Sequence, residues 1–422
     1  MRLRLLVAAA AAAVNAAYPG DIVYYWVDQS ASFVNGTLIG GIPSPPSARY
    51  QAIVQAAVYQ AAVNSKTESL EFQQLAVSHA AHNAILWVFQ GTRLYNAVDA
   101  SLRAVIPAIG LDPNSDKGKE AVRTGQKAAE KVAQARAADK LTNFVDYVYG
   151  PEDPGVYQQT PGSNPLPDTP QARFLRPFGG LGDISSFRAP PPPDTNSKEY
   201  EEDVLYVKDY GSADSTVRTP YDTETAHFWR ESSVTGWNRF AGAIVGDAFA
   251  TNVLASAKFY AQLNYALANA ALAAWDTKYH YNAWRPVTAI RFPDPYLPSN
   301  PPSLPDPDWT PLLSPTPSHP DYPSTHSTFG GAAAHVIQYA FNRGRVALSP
   351  PATFSSIATL PDGTQVTITR TYSSLRDAAD ENSLSRVLGG IHFGFAGAAG
   401  LELGARVANE TLRAFEKGWD NF

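Results

Sequence analysis

The chain has 422 residues, and 44% of them are hydrophobic, enough for a large core in one domain or a few. Charged residues make up 17% and the net charge is −6, so no nucleic-acid surface is expected and any anion site must be a local cluster of bases. There is no cysteine, which excludes disulfides and thiolate metal sites.

In chain order, Arg2 and Arg4 precede the apolar run Leu5 to Val14, and Val14-Asn15-Ala16 offers small residues before Tyr18. This reads as a secretory signal peptide over residues 1–17 and an extracellular protein, with one domain over 18–422. The apolar run is too short to span a bilayer, and no later segment is apolar enough, so no membrane span is expected. The tripeptides Asn35-Gly36-Thr37 and Asn409-Glu410-Thr411 are glycosylation sequons that fit secretion. Helical spacing then predicts helices at Ser47 to Asn64, at Ser69 to Val105 (one long or two in series) and at Asp116 to Asp139. Tyr149 to Asp194 is dense in Pro and Gly and reads as ordered loop. An alanine-rich helix from Asn252 to His280 is apolar on most sides and should be buried. Phe292 to Pro323 is a second proline-rich loop, followed by a helix from Thr328 to Arg343. Between Pro351 and Tyr372 a period-two pattern around Pro361-Asp362-Gly363 predicts a hairpin. Helices at Ser374 to Gly389 and Ala396 to Trp419 complete an all-α fold, a helical bundle with long Pro-rich loops and one small β-hairpin.

Three stretches between residues 278 and 392 concentrate chemistry. In KYHYNAWRP, Lys278 and Arg285 are seven apart, which on a continuous helix puts both on one face. In PSTHST, Ser324, Thr325 and His326 precede a helix whose first N–H groups favour an anion. In SRVLGGIHF, Arg386 and His392 flank Gly389 and Gly390, which permit close backbone approach. Each stretch also has a plain structural explanation: snorkelling surface cations, a helix cap with a satisfied loop histidine, and a helix C-cap. Together they supply three cations, neutral donors and two imidazoles, a set suited to a phosphate-like oxyanion with one imidazole on its central atom.

The ordered pattern K-x6-RP, PSxH, SR-x3-GxH resembles the vanadium-dependent haloperoxidase and type 2 phosphatidic acid phosphatase superfamily, in its soluble, secreted branch. AHFWRESSVTGWNRFA (Ala226 to Ala241) and LPDGTQVTITRTYSS are similar to further stretches of that family. The resemblance implies two four-helix bundles and one vanadate per chain, with phosphate able to compete for the site. His392 would be the metal ligand and His326 the acid–base group. Lys278, Arg285, Ser324, the Thr325 amide and Arg386 would hold the oxygens, with Lys278 also polarising hydrogen peroxide. Peroxide, a halide and small organic molecules would be the partners. Thr325 departs from the glycine usual there; its Cβ adds bulk and disfavours positive φ. His319, five before Ser324, stands where chloride-oxidising relatives carry Phe and bromide-oxidising ones His, which points to bromide or iodide; a polar loop residue is the plain alternative. The same site also suits a vanadate-inhibited phosphatase, with His392 as nucleophile on a phosphate ester or an organic diphosphate. A non-catalytic oxyanion holder stays open because of Thr325. Outside this region, His79 and His82 are three apart on a helix without an accompanying carboxylate, so they read as packing residues, as does His335; His227 and His280 carry no assigned role.

Overall fold

The computed structural model describes residues 20–36, 44–92, 94–342, 347–360 and 363–422. The signal peptide over 1–17, the first sequon's Thr37, and the turn residues Pro361 and Asp362 lie outside the described residues. The chain opens with α1 (Ile22–Gly36), α2 (Ser44–Asn64), α3 (Leu70–Val88), α4 (Tyr95–Ile109) and α5 (Asp116–Arg136). The stretch from 69 to 105 is thus two helices in series. Ser69 caps the first by accepting from the Phe72 amide, and Gly91, at φ +82, turns the chain before the second.

The proline-rich stretch from 149 to 194 is loop with short 3₁₀ turns. Buried Asn269 holds it to the core: its Oδ1 accepts from the Phe178 amide (2.8 Å) and its Nδ2 donates to the Phe178 carbonyl (3.1 Å). Three helices follow that periodicity did not single out: α6 (Lys198–Gly211), α7 (Pro220–Phe228) and α8 (Ser233–Val245). The central helix α9 (Val253–Tyr281) is buried along most of its length, as its alanine content requires, and is followed by the short α10 (Pro286–Arg291). Then come α11 (Thr325–Ile337), the antiparallel hairpin β1 (Ala347–Thr359) and β2 (Gln365–Ser374), α12 (Leu375–Leu388) and α13 (Gly394–Gly418). Side chains alternate along the hairpin; Phe354 and Tyr372 face inward onto Trp229 and Phe240.

Among the described residues the fold is mainly helical with one two-stranded sheet. α2, α3 and α5 pack as one helix group; α11, α12 and α13 form another; α9 lies against both. A single hydrophobic cluster runs through the two groups, from Ile22 to Phe422. Among the described residues no helix is long and apolar enough to cross a membrane.

Candidate oxyanion site

The first site residues meet by a route that periodicity did not predict. α9 ends at Tyr281, and Asn282 turns the chain in the left-handed conformation (φ 53), its amide donating to the Lys278 carbonyl. Arg285 then has an extended backbone (φ −93, ψ 157) as N-cap of α10, because Pro286 disfavours helical geometry in the residue before it. Lys278 and Arg285 therefore do not share the face of one continuous helix. They converge because the chain doubles back and both reach the loop at 319–321. Lys278 Nζ donates to the carbonyls of Pro320 (2.7 Å) and Asp321 (2.8 Å), and Arg285 Nε donates to the His319 carbonyl (2.9 Å).

The second stretch begins helix α11 earlier than expected. Ser324 is its N-cap, its Oγ accepting from the Ser327 amide, and Thr325 is its first helical residue. His326 is thus on the first turn and not in a loop. The position where relatives have glycine has right-handed helical backbone here, and Thr325 is absent from the residues with positive φ. The Cβ at 325 therefore carries no left-handed strain. The hydroxyl of Thr325 is buried without a hydrogen-bond partner among the described residues.

The third stretch closes the pocket. Gly389 caps α12, and Gly390 takes φ +73 with its Cα packed so closely on Gly211 that a Cβ would meet that carbonyl at 2.3 Å. This turn returns His392 towards Arg285: Arg285 Nη1 lies 3.1 Å from His392 Nε2, 3.4 Å from Nδ1, and 2.6 Å from the Ile391 carbonyl. Arg386 Nη1 donates to the Trp229 carbonyl (3.2 Å), while its Nε is buried with no partner among the described residues. His326 Nε2 lies 3.1 Å from the Glu231 carbonyl; a carbonyl only accepts, so Nε2 carries the proton and Nδ1 is left as a base.

Burial and mutual repulsion set the charges. Lys278, Arg285, Ser324, Arg386 and His392 are all buried, with His326 at the more open side. Burial, then Arg285, pushes the Lys278 ammonium well below its ordinary value, with Asp321 opposing. Burial, then Arg285 and Arg230, brings Arg386 down to about 9, so it is cationic at neutral pH. Burial first, then the neighbouring cations, holds His319, His326 and His392 well below the ordinary histidine range, so all three are neutral at pH 7. Cations kept this close without full compensation favour an entering anion.

Two neighbours escaped the sequence reading. Asp321 is fully buried, with Oδ1 2.7 Å from His392 Nδ1 and 3.7 Å from Arg285 Nη1. Burial raises its carboxyl to about 7, against the opposing pull of Arg285 and Lys278. Its signal was the acidic residue in SHPDYPSTH, three before Ser324. Trp275 is the other: its ring lies 4.8 Å from that of His319, which is buried and places Nδ1 3.0 Å from Arg285 Nη2. His319 is therefore part of the pocket wall and not a solvated loop residue.

The remaining histidines lie elsewhere. His82 Nε2 does meet a carboxylate, Asp99 of α4, at 2.7 Å, contrary to the expectation of none. No group of three or more side chains able to hold a metal ion of the usual kind occurs among the described residues. His335 is hydrogen-bonded to Asn409, His227 is buried and His280 is exposed.

Residues 258–421 match a family model described as the VCPO second helical-bundle domain. A curated relative, the vanadium chloroperoxidase of Curvularia inaequalis, is 25% identical over 259 residues, covering 49% of this chain and 41% of that protein. The chain thus matches about two-fifths of that relative's length. Among solved structures, the first bacterial vanadium-dependent iodoperoxidase superposes with a TM-score of 0.73 at 20% identity, covering 93% of this chain and 95% of that one. A bacterial vanadium-dependent chloroperoxidase in its holo form gives 0.67 at 17% identity, covering 90% and 93%. At these identities the structural likeness carries the fold.

Proposed function

This chain belongs to the vanadium haloperoxidase superfamily, and on that premise we propose that it is a secreted vanadium-dependent haloperoxidase. It would use hydrogen peroxide to oxidise a halide to a hypohalous species that halogenates small organic molecules. The observation that carries this reading is the buried cluster itself: Lys278, Arg285 and Arg386 around an imidazole, His392, with Arg285 Nη1 3.1 Å from its Nε2 and 3.4 Å from its Nδ1.

The donor set fits vanadate. Arg386 Nε is buried with no partner among the described residues, Lys278 has a third N–H beyond the two given to carbonyls, and Ser324 keeps a hydroxyl proton because its oxygen accepts from Ser327. The Thr325 amide opens a helix and points its dipole at the same region. Vanadate, when bound, supplies a Lewis-acidic centre at which peroxide becomes electrophilic towards halide. Lys278 would steady negative charge on the peroxide oxygen. His326, neutral with Nδ1 free, would accept the proton that peroxide must lose. His319 is an imidazole held between Trp275 and Arg285, and we assign bromide or iodide on that basis.

The test is a paired assay on one purified sample. Incubated with orthovanadate, it should brominate a phenolic indicator dye in the presence of peroxide and bromide, and should not do so without vanadate. Vanadate-free protein is followed on a chromogenic phosphate ester in parallel. Ester hydrolysis that vanadate inhibits, without bromination, would instead make His392 a nucleophile towards phosphorus and the chain a phosphatase.

A further inference from the structure

We propose that Asp321 is a positioning residue for His392: in the oxyanion-bound protein its carboxylate, already in contact with the ring, accepts a hydrogen bond from Nδ1–H and so presents Nε2 to the central atom of the oxyanion. The inference rests on the vanadate reading of the pocket.

Three observations carry it. The carboxylate is fully buried; its Oδ1 makes an ion-pair contact of 2.7 Å with His392 Nδ1, and among the described residues neither oxygen completes a side-chain hydrogen bond, so both stay open to a donor. The opposite ring nitrogen, Nε2, is the one nearer to Arg285 Nη1, at 3.1 Å against 3.4 Å for Nδ1. Arg285 Nη1 thus lies against both ring nitrogens and leaves the Nε2 lone pair uncommitted, while a carboxylate only accepts, so a neutral imidazole that hydrogen-bonds Asp321 carries its one proton on Nδ1. The backbone of Asp321 is held on both sides: its amide donates to the Ala283 carbonyl (2.9 Å) and its own carbonyl accepts from Lys278 Nζ (2.8 Å). The carboxylate is thereby fixed relative to the same chain segment that supplies Lys278 and Arg285. A carboxylate on the far nitrogen of a ligating histidine fixes the ring's tautomer and orientation and raises the basicity of the ligating atom.

The rival explanation is that Asp321 merely offsets the charge of Arg285 and Lys278. The two explanations predict opposite signs. A negative charge in an anion pocket opposes anion entry, so removing a simple counter-ion tightens every oxyanion. Removing a residue that aims Nε2 weakens vanadate, which bonds through that nitrogen, and does not weaken inorganic phosphate, held by the cations alone.

The experiment measures the affinities of orthovanadate and of inorganic phosphate for the full chain by calorimetry, in the wild type, Asp321→Asn and Asp321→Ala, each checked for helical content. The expected result is vanadate affinity lower by about 10- to 100-fold in both variants, with phosphate affinity unchanged or higher. Tighter binding of both anions would overturn the proposal. Absence of vanadate binding in the wild type would bring down the vanadate reading itself, and this inference with it. A readout on the unaltered protein guards against misfolded variants: ¹⁵N spectra of the histidine rings, with His392 assigned by loss of its signal in His392→Ala. A proton on Nδ1 of His392 supports the proposal, and one on Nε2 overturns it.

Discussion

His326 is the one proposed site residue that keeps partial exposure. Its Nε2–H is committed to the Glu231 carbonyl, burial and the nearby cations keep the ring neutral, and Nδ1 is left as acceptor. Replacing it by alanine removes the base but none of the buried cations. His326→Ala should therefore lose about 10²- to 10⁴-fold in halide-oxidation rate while still binding orthovanadate, read by steady-state rates and vanadium content on one preparation. A loss below tenfold would give the proton transfer to another group. The types of these residues were legible in the sequence, because Lys, Arg, Ser and His recur in a fixed order. Their geometry was not. The spacing of Lys278 and Arg285 suggested one helix face, whereas Asn282 and Pro286 break the helix between them. Asp321 was passed over because its contacts are tertiary: it sits in a proline-rich loop, and its carboxylate partner is a histidine 71 residues further on.

At the scale of helices, the pocket depends on how closely α11 can approach α13. Gly404 of α13 faces the first turns of α11, and a Cβ there would meet the Thr328 carbonyl oxygen at 2.0 Å and the Ala332 amide at 2.8 Å. Both are backbone atoms of a helix and cannot swing aside. The helix that must move is the one that begins with Ser324, Thr325 and His326, and the Ser324 amide is itself bonded to the Ala396 carbonyl of α13 (2.8 Å). Gly404→Ala should cost about 1–3 kcal/mol or more by overpacking and should weaken orthovanadate binding as well. Gly182→Ala, where an added Cβ meets nothing within 4 Å, is the control and should change neither. Thermal unfolding and anion titration read both effects; a Gly404→Ala protein of wild-type affinity would show the pocket to be indifferent to that spacing. This close packing also explains which helices could be read in advance. α2, α5, α9 and α13 announce themselves by runs of small and apolar residues at helical spacing. α6, α7 and α8 are short, and α6 and α7 are largely polar, so their burial is decided by neighbours. The clearest local sign was the capping box of α7, in which Thr219 and Asp222 cap each other's ends and Pro220 takes the first position.

Across the whole molecule, α9 ties the pocket to everything else. It contacts α2 of the N-terminal group and α11 and α13 of the C-terminal group, and its last turn carries Lys278. Among the described residues one apolar cluster runs through both groups, beside two smaller ones around Trp284 and Leu388, so the groups are expected to unfold together. An oxyanion that binds only the folded pocket also relieves the repulsion among Lys278, Arg285 and Arg386 that burial enforces. Its binding free energy must therefore appear in the stability of the entire chain. At 100 times its dissociation constant, orthovanadate should add about 2.7 kcal/mol, shifting one calorimetric transition upward as a unit. In His392→Ala the vanadate-driven shift should shrink towards that given by inorganic phosphate, because the bond through Nε2 is gone and only the cations remain. Two separate transitions, of which only one responds to the anion, would mean that the helix groups fold independently and that α9 is a connection between domains, not the core of one.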